Sequence, residues 1–349
     1  MKLQIVAFIL ILSGNLFSQE INKTKIDKYL SYIEDNNGGI GSVSIFKNGN
    51  EVYNRSFGQK QLINVTYDEN TKYQIASITK MITAILTLKL VEDGKLKLDT
   101  KLAAFFPEVP NSNKITIKNM LEHSSGLGNF AIRDGAIWVI DKVTEKEVLK
   151  EIVNQGVNFE PNEKVAYSNS AYLLLRMILE KKYKKEYHKI VQNEIVKPLH
   201  LKNFASRKSN PVDTFKSYKF SENWTEMKEI EYLNVIGVGD IASTTKDVNI
   251  LMTNLFEYKI LTKESLELMK PIIGTENWGR GLALFEYGEN QFFGHSGDVL
   301  GSHSRLIYNQ KDKISISYST NGERIPANVF MENLVGIIYN IDFDLPEIK

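Results

Sequence analysis

Strand-type alternation sits at the two ends of this sequence and gives way to helical periodicity between them. Near the start, "GSVSIFKNGNEVYNRSFG" (41–58) alternates on both sides of Asn48-Gly49, a pair that favours the tight turn of an antiparallel hairpin. Near the end, "GRGLALFEYG" (279–288), "NQFFGHSG" (290–297), "SHSRLIYNQ" (302–310) and "KISISYSTNG" (313–322) read as a meander with polar turns. From Ser77 to about Tyr258 the pattern is mostly helical, and amphipathic helices flank the strands at 21–35 and 329–341. The expected architecture is an α/β fold of the α+β type. One antiparallel sheet, flanked by helices, takes strands from both ends, and a large, mostly helical insertion packs against it. On that reading the sheet subdomain covers 19–75 and 259–349, and the helical subdomain covers 76–258.

Inside the insertion, "ASITKMITAILTLKLVEDG" (76–94) is apolar on nearly all sides, which places that helix centrally, and Gly94 ends it. "TIKNMLEHSSGLG" (116–128) ends a second helix at a Ser-Ser-Gly turn, and 170–196 reads as a longer helical stretch with a break near Lys184. The lysine-rich 180–189 reads as a solvated helix face, because Tyr183, Tyr187 and Ile190/Val191 fall on the opposite side.

At 349 residues and 42% hydrophobic content the chain can bury a large core. A formal net charge of +1 gives no field that would make nucleic acid or an anionic membrane the main partner. Lys2, the apolar run at 5–12 and the small residues ending at Ser18 describe a secretory signal over 1–18. Eight apolar residues are too few for a membrane span, which needs about 20. The expectation is an exported protein, periplasmic or secreted, with no stable membrane span. Cysteine is absent, which excludes disulfides, thiolate metal sites and a cysteine nucleophile.

The pattern Ser-x-x-Lys occurs at Ser44/Lys47, Ser77/Lys80 and Ser243/Lys246. A serine hydroxyl needs a base within hydrogen-bond reach to become a nucleophile, and positions i and i+3 share a face only on a helix. Ser44/Lys47 lies in an alternating strand, where an odd separation puts the two side chains on opposite faces. Ser243 or Thr244 is an ordinary helix cap, with Lys246 turned to water. Ser77/Lys80 also opens a helix, but Ile78, Met81, Ile82 and Ile85 surround the lysine. Burial there would lower its pKa toward that of a base, and the helix N-terminus offers N–H groups to an oxyanion. The five histidines show no metal-ligand spacing, and no metal or other cofactor is expected. "GHSGD" (294–298) misses the nucleophile elbow G-x-S-x-G at Asp298.

Three motifs in order, "SITK" (Ser77–Lys80), "YSN" (Tyr167–Asn169) and "HSG" (His295–Gly297), resemble those of the penicillin-recognising serine hydrolases. The branch they most resemble holds class C β-lactamases, serine D-alanyl-D-alanine carboxypeptidases, D-amino-acid peptidases and related esterases. The stretches "LVEDGKLKLDTKLAAFFPE", "ITIKNMLEHSSGL", "VKPLHLKNF" and "GDIASTTKDV" extend the similarity over about 40–320. The resemblance implies a β-lactamase/transpeptidase-like fold and acyl transfer through an acyl-serine intermediate. It implies that Ser77 is the nucleophile and that Lys80 and Tyr167 share proton transfer, with Asn169 bonded to Lys80 and to the substrate. It places His295 on the strand edge and the oxyanion hole at the N–H groups of Ser77 and Asp298, with Gly297, the last residue of the third motif, among the substrate-binding positions. The expected partner is a small-molecule or peptide substrate, a cell-wall peptide among the candidates; oligomeric state is left open.

Three departures bear on substrate choice: Asn162 where Gly is common, His295 in place of the more familiar Lys, and Asp298 in place of a small residue. A carboxylate at 298 would repel an acidic substrate group unless Arg280 or Arg305 compensates it. The reading therefore favours a peptidase or esterase over a β-lactamase. A catalytically silent penicillin-binding or sensor module would be expected to have lost one of Ser77, Lys80, Tyr167 or Asn169.

Overall fold

The computed structural model describes residues 20–62, 67–208, 214–274, 277–341 and 344–348; the expected signal segment, 1–18, lies outside them. Asn48 and Gly49 both take positive φ, 50° and 80°, and fold β1 (Gly39–Lys47) back onto β2 (Asn50–Phe57). The late strands β3 (Ala283–Tyr287), β4 (Asn290–Val299), β5 (Ser302–Asn309) and β6 (Ile314–Glu323) form the expected meander. The ends of the chain meet where β6 pairs with β1, giving one antiparallel sheet in the order β3-β4-β5-β6-β1-β2.

Alternation decides what covers each face of that sheet. Val43 and Ile45 in β1, with Ile316 and Tyr318 in β6, point to one side. There they pack with Ile26 and Leu30 of α1 (Lys23–Asp35) and with Phe330 and Leu334 of α5 (Ala327–Tyr339). The intervening Ser42, Ser44, Ser315, Ser317 and Ser319 are equally buried and face the insertion. Small side chains let α4 (Thr245–Phe256) approach closely. Its Asn249 donates to the Ser44 carbonyl at 2.8 Å and accepts from Ser315 Oγ at 2.6 Å, so the buried amide is satisfied.

The insertion is built around α2 (Thr79–Glu92), in which every residue from Thr79 to Leu88 is buried. Helix α3 (Asn169–Tyr183) packs beside it and stops where Lys184 turns left-handed, at the expected break. Tyr187, on the next helical segment, is fully buried and its hydroxyl meets Thr83 Oγ1 of α2 at 2.8 Å. In and beside the insertion lies β structure that periodicity did not reveal. Tyr73–Gln74, Phe204–Ser206 and Ile241–Ser243 form a small sheet, and Ile132–Arg133 pairs with Ala136–Ile137 as a hairpin. Strands of two or three residues are too short to display alternation.

Candidate active site

The chain reaches Ser77 through a sharp bend. Ile75 donates to the Ile241 carbonyl at 3.0 Å, Ala76 takes a left-handed φ of 44°, and a 3-10 turn over Ala76–Ile78 runs into α2. A positive φ at a residue with a Cβ is strained and persists only where surrounding contacts enforce it. The bend leaves Ser77 partly accessible at the helix N-terminus and sends Lys80, one turn on, into the interior with no exposed surface. Lys80 Nζ lies 2.9 Å from Ser77 Oγ and donates to the Val238 carbonyl at 3.0 Å. Among the described residues no carboxylate pairs with Lys80, so burial alone drives its pKa well below the usual lysine range.

The Val238 carbonyl is held in place by its own loop. Thr83 Oγ1 donates to the Gly237 carbonyl at 2.7 Å, and the Gly237 N–H donates to Asp240 Oδ1 at 2.7 Å. Ser206 Oγ bonds the second Asp240 oxygen, and burial raises the Asp240 carboxyl to about 6. This loop takes the position expected of Asn169, whose amide instead donates to Asn129 Oδ1 at 3.0 Å. The expected Asn169–Lys80 bond is not formed: Lys80 bonds Ser77 and Val238 and the Asn169 amide bonds Asn129, although Asn169 still lines the same cavity as Ser77.

Tyr167 lies over Lys80, with Nζ 5.0 Å from the ring centroid. Its hydroxyl is buried and makes no hydrogen bond of good geometry among the described residues. Burial pushes the phenol pKa up; the nearby Ser77 hydroxyl opposes that rise and the Asp298 charge adds to it. His123 stacks on the Tyr167 ring at 4.4 Å, and Trp278 closes a second side at 5.2 Å. His123 Nδ1 accepts from the Ser168 N–H at 3.1 Å, which requires a neutral ring with its proton on Nε2. Burial, helped by the nearby Lys80 and His295, lowers the His123 pKa well below its normal value. Ser168 caps α3 by accepting from the Ala171 N–H, so His123 ties the tyrosine to a helix start. In the sequence His123 reads only as part of the Ser-Ser-Gly turn that ends the 116–128 helix, and nothing marks Trp278 beyond the lone "NWG".

The loop before Tyr167 explains one departure. Asn162 sits at φ 69°, a conformation that suits Gly and that Asn tolerates, and its Oδ1 accepts from Asn119 Nδ2 at 2.6 Å. Strand β4 forms the opposite wall. His295 is buried, and desolvation followed by the neighbouring Lys80 lowers its pKa to about 3, so it is a neutral ring and not the weak cation expected from its side-chain chemistry. Nδ1 stands 2.5 Å from the Ser296 carbonyl, which can only accept, leaving Nε2 as an acceptor. At Gly297 a Cβ would stand 2.1 Å from the Ile75 carbonyl and 3.1 Å from the Ser77 nitrogen. Only glycine lets the strand come this close to the nucleophile turn.

Asp298 lines the Ser77 cavity and is compensated by Arg305, at 2.9 Å, and by His303, at 2.8 Å. Burial favours the neutral carboxyl there, but these two partners prevail and hold its pKa below the usual carboxylate range. Arg280 is placed elsewhere. It pairs with Glu122 at 2.9 Å and lines a separate cavity behind Trp278, because the Glu122 carboxylate and the Leu268 carbonyl take its guanidinium. The second Tyr-x-Asn, at 232–234, is structural: Asn234 bonds the backbone of Val139, Asp141 and Val143.

The Ser77 cavity holds about 200 Å3. Ile132, Ile137, Val139 and Ile230 form its apolar side, with Asn169 and Asp298 as polar points. Such an arrangement can present a hydroxyl to a neutral amine beside a helix N-terminus and a closely packed strand. Among the described residues no group of three His, Asp or Glu side chains could hold a metal ion, and no helix is long and apolar enough to cross a membrane.

A family model described as Beta-lactamase matches residues 33–335. The putative penicillin-binding protein PbpX of Bacillus subtilis (strain 168) is 28% identical over 263 residues, covering 74% of this chain and 64% of the relative. The chain thus spans just under two thirds of that relative's length. The teichoic acid D-alanine hydrolase of Staphylococcus aureus is 23% identical over 310 residues, covering 87% and 75%. In fold, the D-amino acid amidase of Ochrobactrum anthropi SV3, solved with L-phenylalanine, superposes with a TM-score of 0.79 at 23% identity. That match covers 90% of this chain and 99% of the amidase.

Proposed function

Because the chain belongs to the Beta-lactamase family, within the penicillin-recognising serine hydrolases, we propose that it hydrolyses an amide or ester through an acyl-Ser77 intermediate. The favoured substrates are those of a D-alanyl-type carboxypeptidase, a D-amino-acid amidase or an esterase. One observation carries the reading: a fully buried lysine, without a carboxylate partner among the described residues, 2.9 Å from the hydroxyl at a helix start. In the proposed mechanism the neutral Lys80 amine accepts the Ser77 proton as Oγ bonds to the substrate carbonyl carbon. The backbone N–H groups of Ser77 and Asp298 receive the oxyanion. The proton passes to the leaving nitrogen or oxygen by way of Tyr167, whose raised pKa keeps it a proton donor. Water then attacks the acyl-serine by the reverse of the same proton path.

A D-alanyl or D-amino-acyl substrate is supported by the names of two similar proteins and by an apolar pocket beside Ser77. A β-lactamase is disfavoured by the carboxylate at Asp298, which opposes an acidic ligand group, and by the neutral state of His295. Export to the periplasm or medium rests on residues 2–18. The deciding experiment is intact-mass labelling of wild type and Ser77→Ala with a fluorophosphonate. A panel of D-Ala-D-Ala peptide, D-amino amide, short-chain ester and cephalosporin follows. One label on wild type and none on Ser77→Ala is expected. Labelling that survives the substitution overturns the nucleophile, a fastest rate on the cephalosporin overturns the substrate ranking, and a wild type inert to every reagent indicates a silent module.

A further inference from the structure

The alternation that turns His295 and Gly297 toward the nucleophile turns Asp298 outward, to the rim of the Ser77 cavity, with 48% of its side chain exposed. Asp298 is the single charged residue among the described residues lining that cavity. Its two hydrogen bonds, from His303 and from Arg305, both reach Oδ1, and Oδ2 accepts none among the described residues. Arg305 stands behind it: the guanidinium also bonds Asn328 Oδ1 and the Ser304 carbonyl, and only 9% of its side chain is exposed. His303 Nε2 reaches a second carboxylate, Glu323 Oε1, at 3.4 Å. The rim thus sets Asp298 against an inward-facing guanidinium and an imidazole that is shared with Glu323, whose own carboxyl burial pushes toward the neutral form. Deeper in the site, burial disfavours a positive charge on Lys80 and on His295.

From this geometry we infer that Asp298 anchors a positively charged group on the substrate of Ser77, so that cationic amides or esters are the preferred class. The inference rests on the acyl-Ser77 reading above and adds to it the charge of the substrate. Arg305 and His303 hold the carboxylate in one orientation through Oδ1 and leave Oδ2 to accept from an ammonium. The substrate's aliphatic part would fill the side of the cavity formed by Ile132, Ile137 and Val139. An ammonium could reach the rim from the acyl part or from the leaving group, and the test separates the two.

Two matched pairs make that test. D-Leucine p-nitroanilide against 4-methylpentanoyl p-nitroanilide places the charge on the acyl side. 4-(Aminomethyl)phenyl acetate against 4-ethylphenyl acetate places it on the leaving group. Wild type is expected to prefer the cationic member of one pair by about tenfold in kcat/KM, mainly through KM, and to lose part of that preference in salt. Asp298→Asn should bring the ratio close to unity, and Asp298→Glu should restore part of it. A purely structural Asp298 would lower both members of each pair equally, which overturns the inference, as does a wild type indifferent to charge in both pairs. Fluorophosphonate labelling of Ser77 is read in parallel: its absence removes the hydrolase reading, whereas labelling without charge preference removes only this one.

Discussion

Ser77–Lys80 and Ser243–Lys246 share their spacing and both stand at the start of a helix, yet their lysines occupy opposite environments. Lys80 is fully buried, has no acidic partner among the described residues and is pushed toward the neutral amine. Lys246 is half exposed, pairs with Glu51 at 2.8 Å, and that hydrogen bond and charge raise its pKa. At the second site the cap is Thr244, which accepts from the Asp247 N–H at 3.1 Å, while the Ser243 hydroxyl is spent on the Thr244 carbonyl. The spacing brings an amine near a hydroxyl; burial decides whether that amine is a base.

Substitutions can break this contrast. Lys80→Ala should lower the rate of Ser77 acylation by about a thousandfold in single-turnover assays, the range expected for loss of a positioned base. Lys246→Ala should leave that rate within about twofold and change stability by less than about 1 kcal/mol, since its ion pair is exposed. An equal effect at both sites would show that burial is not the distinguishing factor. Gly297→Ala comes next. Its Cβ meets the Ile75 carbonyl at 2.1 Å, so the strand must move away from Ser77, and acylation should fall about a hundredfold. A crystal structure of that variant with an unmoved β4 would contradict the account.

His123→Ala removes the ring stacked on Tyr167 and the acceptor for the Ser168 N–H, without touching the nucleophile. A loss of about tenfold in kcat, with the Ser77 label still forming, is expected.

The smallest effect concerns pH. An unfolded histidine takes a proton near 6.5, whereas folded His295 does so only at about 3. The contribution of His295 to stability should therefore fall as pH drops from 6.5 toward 3 and be constant above 7, and thermal melts of wild type compared with a His295 variant across that range isolate it from the contributions of Lys80 and His123. His295→Gln should weaken the slope.

The wider layout was legible from the chain alone because it rests on local rules. The Asn48-Gly49 turn, the alternation of Val43, Ile45, Ile316 and Tyr318 with serines, and the all-round apolar helix from Thr79 each reflect the period or chirality of one element. The motif residues Ser77, Lys80, Tyr167, His295, Gly297 and Asp298 also stood out in the sequence; in the fold Ser77 and Asp298 line one cavity, and Lys80, Tyr167, His295 and Gly297 pack close to Ser77 or to one another. The remaining features depend on distant partners. Whether Arg280 or Arg305 meets Asp298 was undecided in the sequence, and it is Glu122 that draws Arg280 away. Lys80 bonds Val238 in place of Asn169 because Asp240 and Thr83 position a loop more than 150 residues along the chain.

What the sequence determined by itself was where a nucleophile could stand, since a helix start and a three-residue spacing are local geometry. What only the tertiary structure decided was the charge state of the groups around it. Lys80, His123 and His295 are pushed toward their neutral forms because other elements exclude water from them, and Asp298 is pushed toward its ionised form because Arg305 and His303 lie on the neighbouring strand. A proton's affinity for a side chain depends on dielectric surroundings and nearby charge, and neither exists until the chain has folded.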